Sequence, residues 1–144
     1  MKIYFIRIFL GLLLSLGIVG WVSAQDREIV DIEMVLAVDI SSSVDLDEYN
    51  LQMNGLAAAF RHPEVIAAIE GLEGGGIALT LVQWSGTWAQ SAVVGWTRVF
   101  DEGSAAAFAQ LLEDAKRAFP GGATSISGAI HYGLTELQSN DFDG

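Results

Sequence analysis

From Met34 to Val38 five apolar residues run without interruption, and Asp39 stops the run just before Ser41, Ser42 and Ser43. A continuous rather than alternating apolar segment of this length suits a strand covered on both faces, which points to a parallel sheet flanked by helices. The next segment fits that reading. Leu46, Tyr49, Met53, Leu56 and Phe60 fall at the three-four spacing of one helix face. Asp45 stands at the N-cap position, and Glu48, three residues on, completes a capping-box pair.

The same logic carries through the rest of the chain. Arg61-His62-Pro63 interrupts the first helix, and residues 64–70 extend it as a short helical piece. Four glycines between Gly71 and Gly76 form a linker; neither Gly-x-Gly-x-x-Gly spacing nor a following Lys-Ser/Thr is present, so a phosphate loop is not supported. Ile77 to Trp84 is a second strand and Ala89 to Val94 a third, joined as a hairpin by Ser85-Gly86-Thr87. Trp84, Trp88 and Trp96 gather around that hairpin, where packing of an edge strand is their expected use. Ser104 is the expected cap of a helix whose face runs Phe108, Leu111, Leu112, Ala115 and Phe119, ended by Pro120-Gly121-Gly122. The last helix starts at Thr124 or Ser125 and is expected to bury Ile126, Ala129, Ile130, Gly133 and Leu137. Residues 139–144 read as a polar stretch in which Asp141 and Asp143 are solvated turn residues. Strand, helix, strand, strand, helix, helix is an α/β layer order.

Residues 1–24 are expected to be a signal peptide. Lys2 and Arg7 form a basic flank, Ile8 to Val22 an apolar core, and Val22-Ser23-Ala24 a small-residue cleavage signal. The domain is then 25–144, exported to a periplasmic or secreted location, with no stable membrane span after cleavage. Loss of Lys2 and Arg7 leaves five basic against eighteen acidic residues, a formal charge of −13. That field disfavours nucleic acid and anionic lipid and suits a divalent cation or a basic partner. The absence of cysteine excludes thiol catalysis and thiolate zinc sites. His62 beside Pro63 and His131 within a helical pattern are expected to be surface or packing residues.

Asp39, Ser41 and Ser43 would deliver one carboxylate and two hydroxyls to a single turn, an all-oxygen set of the kind that Mg²⁺ or Mn²⁺ prefers. Asp-x-Ser-x-Ser after such a strand resembles the metal-ion-dependent adhesion site of von Willebrand factor A domains. Gly121-Gly122-Ala123-Thr124-Ser125 resembles the glycine-rich loop from which those domains supply a threonine oxygen. On that resemblance Thr124 joins Asp39, Ser41 and Ser43 as a metal ligand; without it, Thr124 reads as a helix cap. Haloacid-dehalogenase chemistry needs a second carboxylate where Ser41 stands, and the Gly-x-Ser-x-Gly elbow of serine hydrolases is missing, so an enzyme is not expected.

Leu36-Ala37-Val38-Asp39, Ala57-Ala58-Ala59-Phe60-Arg61, Pro63-Glu64-Val65 and Gln83-Trp84-Ser85-Gly86 are similar to an exported bacterial family of unknown function (DUF1194-type) with a von Willebrand factor A-like fold. The resemblance implies a three-layer Rossmann-like α/β fold, here incomplete, with strands one to three and their flanking helices only. It implies sheet order 3-2-1-4-5-6, with a fourth strand beside Met34 to Val38 that would bring a further Asp to the metal. The function it implies is cation-dependent adhesion: Mg²⁺ or Mn²⁺ held by the chain and an Asp or Glu offered by a protein ligand. The alternatives are a structural, envelope-associated domain with no metal role, or an inactive truncated product.

Overall fold

A computed structural model describes residues 26–144, so the expected signal peptide at 1–24 lies outside the described residues. The described chain forms β1 (Glu28–Ile29), β2 (Ile32–Asp39), α1 (Leu46–Phe60), α2 (Pro63–Glu70), β3 (Ile77–Trp84), β4 (Gln90–Val99), α3 (Glu102–Asp114), α4 (Ile126–Gln138) and β5 (Phe142–Asp143). It is an α/β protein with a mixed sheet and four helices, consistent with a Rossmann-like arrangement.

β3 is the central strand, parallel to β2 from Ile32↔Ile77 to Asp39↔Trp84 and antiparallel to β4. Every residue of β3 is buried. Its two polar side chains are satisfied locally: Thr80 Oγ1 donates to the Val94 carbonyl at 2.8 Å, and Gln83 enters a network described below. Met34 and Ala37 of β2 are exposed, and among the described residues β2 has a sheet neighbour on one edge only. The expected cover on both faces is thus incomplete along β2, where Val38 alone is buried.

Leu79 and Leu81 face α1 and α3, whose Tyr49, Met53, Ala57, Phe60, Phe108 and Leu112 complete the main core. Phe60 and Phe108 meet edge to face, ring centres 4.9 Å apart. α4 lies on the opposite face, close enough that a Cβ at Gly133 would sit 3.6 Å from Val35. Three layers result.

Local chemistry explains the element ends. Asp45 and Glu48 form the expected capping box on α1. His62 caps α2, its Nδ1 accepting from the Glu64 N–H, with Pro63 in the first turn. On α3 the cap is Asp101; Ser104 is the third residue of that box and donates back to it, so the expected cap was displaced by one box length. α3 stops at Asp114, and residues 115–120 leave the helix because Tyr49 and Gln83 capture their backbone groups. Leu111 consequently faces outward.

α4 begins after Ser125, which accepts from Gly128 N–H. It buries Ala129 and Gly133, but Ile126 and Ile130 are 65 % and 60 % exposed, against expectation. Their face overhangs the open edge of β2 rather than a filled layer. The 71–76 linker is also tied down: the Asp31 carboxylate accepts from Gly74 N–H at 2.7 Å and Gly76 N–H at 2.9 Å. Gly76 has φ +99° and packs where a Cβ would lie 2.3 Å from the Val99 carbonyl oxygen, so glycine is required there.

Asp141 and Asp143 are exposed as expected, but the segment around them is more than a turn. Phe142 is buried against Trp96, and Asp143 belongs to β5, which pairs parallel with β1 (Glu28↔Phe142, Ile29↔Asp143). Gly144 N–H donates to Glu33 Oε1 at 3.1 Å, bringing the chain alongside the start of β2. No helix among the described residues is long and apolar enough to cross a membrane.

Candidate metal centre at the ends of β2 and β3

Three connections meet at the carboxyl ends of β2 and β3: the 40–44 turn, the β3–β4 hairpin turn and the 115–125 segment. In a parallel α/β sheet this is where loops gather and ligands bind. Asp39 is the last residue of β2 and is half-buried; its Oδ1 accepts from the Ser41 N–H at 2.7 Å. That bond folds the chain back, so the two alternate hydroxyls converge, with Ser41 Oγ and Ser43 Oγ 3.2 Å apart. Ser41 is fully buried, whereas Ser42 and Ser43 are exposed.

The glycine-rich loop docks onto this turn through Ser42 N–H, which donates to the Gly122 carbonyl at 3.0 Å. Gly121 (φ +114°) lies where a Cβ would approach Ser42 Oγ to 3.1 Å, and one at Gly122 (φ +159°) would approach Ser85 Oγ to 2.7 Å. Close approach and positive φ together demand both glycines. Ser85 secures the loop's far side: its Oγ donates to the Ala123 carbonyl at 2.9 Å, and its carbonyl accepts from Ser125 N–H at 2.9 Å. Thr124 is thus held, exposed, between two anchored residues on a loop fixed to the Asp39 turn. Asp39, Ser41 and Ser43 are brought together directly; Thr124 is brought to the same end of the sheet.

Two supporting groups were not legible as such in the sequence. Arg117 Nη2 donates to the Ile40 and Ser41 carbonyls at 2.8 and 3.1 Å, and its guanidinium lies 5.9 Å from the Tyr49 ring centre. It pins the backbone of the turn, and it puts a fixed positive charge beneath it. Lys116-Arg117 is the only adjacent basic pair in an acidic chain, which was the available signal. Gln83 is buried at the end of β3; its Nε2 donates to Tyr49 Oη at 2.8 Å and its Oε1 accepts from Ala118 N–H at 2.7 Å. Tyr49 passes the chain on to the Ala115 carbonyl at 2.9 Å, and burial pushes its phenol pKa up.

The donor set is chemically suited to a hard cation: one carboxylate, clustered neutral oxygens, no nitrogen or sulfur. Among the described residues no group of three or more His, Cys, Asp or Glu could hold a metal, which the set at Asp39, with its single acid, does not require. The family model described as a protein of unknown function (DUF1194) matches residues 29–144. The chain belongs to that family. The DUF1194 match takes in the Asp39 turn, the hairpin, the glycine loop and α4 together. Comparison with curated proteins gives no match.

Proposed function

We propose that this member of DUF1194 carries an exported von Willebrand factor A-like module that works by binding, not catalysis. In this reading Asp39, Ser41, Ser43 and Thr124 hold Mg²⁺ or Mn²⁺. The observation that supports it most is the convergence of Ser41 and Ser43 hydroxyls, 3.2 Å apart, beside Asp39 at the carboxyl end of a parallel strand. The cation would supply an electrophilic centre with few protein charges on it, so that an Asp or Glu of a protein ligand completes its shell. The acidic field, −11 for the whole sequence, favours the cation's approach.

The proposal includes a further strand on the free edge of β2. Its support is the exposed apolar face of α4 above that edge.

A structural reading, without metal, draws on the bond from Ser41 N–H to Asp39, which by itself makes a stable turn. The two separate in one experiment: immobilise the full chain and compare the proteins retained in Mg²⁺, in EDTA, and by Asp39→Ala in Mg²⁺. The adhesion reading expects specific partners in the first arm only. The same partners in all three arms would overturn it.

A further inference from the structure

On the side of α4 away from β2, a cleft of about 490 Å³ opens between the helix and the β3–β4 hairpin turn. Thr87, Trp88, Gln90, Ser127, His131 and Tyr132 line it, and among the described residues no Asp, Glu, Lys or Arg does. Trp88 is 96 % exposed, so its indole contributes nothing to the fold. An aromatic of that size standing free at the rim of a cleft marks a contact surface rather than a packing element.

The walls are fixed while the rim is chemically unspent. Gln90 Nε2 donates to the Gly86 carbonyl at 2.6 Å, and Gly128 lies so near that a Cβ there would sit 2.9 Å from the same nitrogen. Tyr132 Oη accepts from the Ala92 N–H at 3.3 Å, which occupies the outward backbone donor of β4 at this point. In contrast the Thr87 and Ser127 hydroxyls and the His131 imidazole have no hydrogen-bond partner among the described residues.

We propose that this cleft binds a neutral glycan, with one pyranose ring stacked on Trp88 and its hydroxyls hydrogen-bonded to Thr87, Ser127 and His131. A pyranose offers the two surfaces the cleft asks for. Its C–H face complements the electron-rich face of the indole, and its equatorial hydroxyls both donate and accept at the rim. Charged ligands fit poorly: the cleft holds no cation for an acidic sugar, and the net charge of −11 repels polyanions. An extended peptide would seek a free strand donor, and Ala92 N–H is already used. A volume of this size lies within the range of small-molecule sites. Its lining shares no residue with Asp39, Ser41, Ser43 or Thr124, and binding there needs no metal.

Native affinity electrophoresis of the full chain through gels containing neutral β-glucan, xylan or galactomannan tests this, because mobility reads binding without relying on tryptophan emission. At least one polysaccharide should retard the protein, equally in Mg²⁺ and in EDTA. Trp88→Ala should weaken the retardation by about tenfold or more, the effect of losing roughly 1.4 kcal/mol of stacking. Trp88→Phe should retain part of it, and Ser127→Tyr, which fills the cleft from an exposed position, should abolish it. Both positions are exposed, so the variants keep the fold. Unchanged mobility in all three gels, or equal retardation of wild type and Trp88→Ala, would overturn the proposal.

Discussion

Gln83 shows how one buried side chain holds a functional end of the sheet in place. It satisfies Tyr49 Oη, Ala118 N–H and, at 3.3 Å, the Lys116 carbonyl, while being fully buried. Replacing it with Leu removes the partner of the part-buried Ala118 N–H and one of the two bonds of Tyr49 Oη, at about 1–3 kcal/mol for a buried group left unmet. Gln83→Leu should therefore lower stability by about 2–3 kcal/mol, read as a fall in the urea midpoint with unchanged slope. Tyr49→Phe removes one hydroxyl from the same network and should cost about 1 kcal/mol. A second residue-scale prediction concerns pH. The Ser104 hydroxyl, then its N–H, hold the Asp101 carboxyl below its ordinary value of 3.8. A depressed carboxylate stabilises the fold above its ordinary pKa, and that contribution is lost as pH falls through the folded value. Ser104→Ala should thus reduce stability at neutral pH and flatten the acid limb of the stability–pH curve below about pH 4. The Asp-x-Ser-x-Ser turn was readable because strand end and spacing alone define it. Asp101 was missed because Asp101 and Ser104 are both good caps three residues apart, and only the backbone geometry decides between them. Gln83 and Arg117 were missed because their partners lie 33–35 and 76–77 positions away.

At the scale of elements, α1 and β3 appear where the periodicity placed them, Leu46–Phe60 and Ile77–Trp84. Pattern length served well there because local propensity and burial agree. β4 runs on to Val99, past the expected Val94, since Gly95 and the polar Thr97 and Arg98 mask a strand pattern that pairing with β3 nonetheless completes. α4 misled in another way: its apolar residues occupy more than one face, and sequence cannot say which face a neighbour covers. Ala129 is buried against the sheet while Ile130 overhangs the open edge. Ile130→Lys should therefore change stability by less than about 0.5 kcal/mol. Ala129→Asp, which buries an unpaired carboxylate, should cost several kcal/mol. The same contrast governs association. An exposed apolar helix face above an unpaired strand edge templates contact with other chains. Sedimentation velocity should show concentration-dependent association of the wild type that Ile130→Lys reduces and Trp88→Ala leaves unchanged.

For the molecule as a whole, the main core joins α1, α2 and α3 to one face of the sheet, and the edge-to-face pair of Phe60 and Phe108 sits inside it. Truncating a fully buried Phe costs about 3–5 kcal/mol, against a net stability of about 5–15 kcal/mol for a domain. The Asp39 turn is anchored in that core by Val38, Ile40 and Tyr49, whereas Ser43 and Thr124 are exposed, so ligand substitutions at those two positions should leave folding intact. Family membership and layer order were legible because short strand–turn motifs and periodicity carry them across 29–144. What binds at the turn was not, because hydroxyls that cap a helix and hydroxyls that hold a cation look alike in sequence. Isothermal titration calorimetry of Mg²⁺ and Mn²⁺ into the full chain and into Asp39→Ala addresses the central claim most directly. The account predicts saturable binding by the wild type and a loss of about tenfold or more in affinity for Asp39→Ala. Equal affinity in the two proteins, or no saturable heat in either, would contradict it.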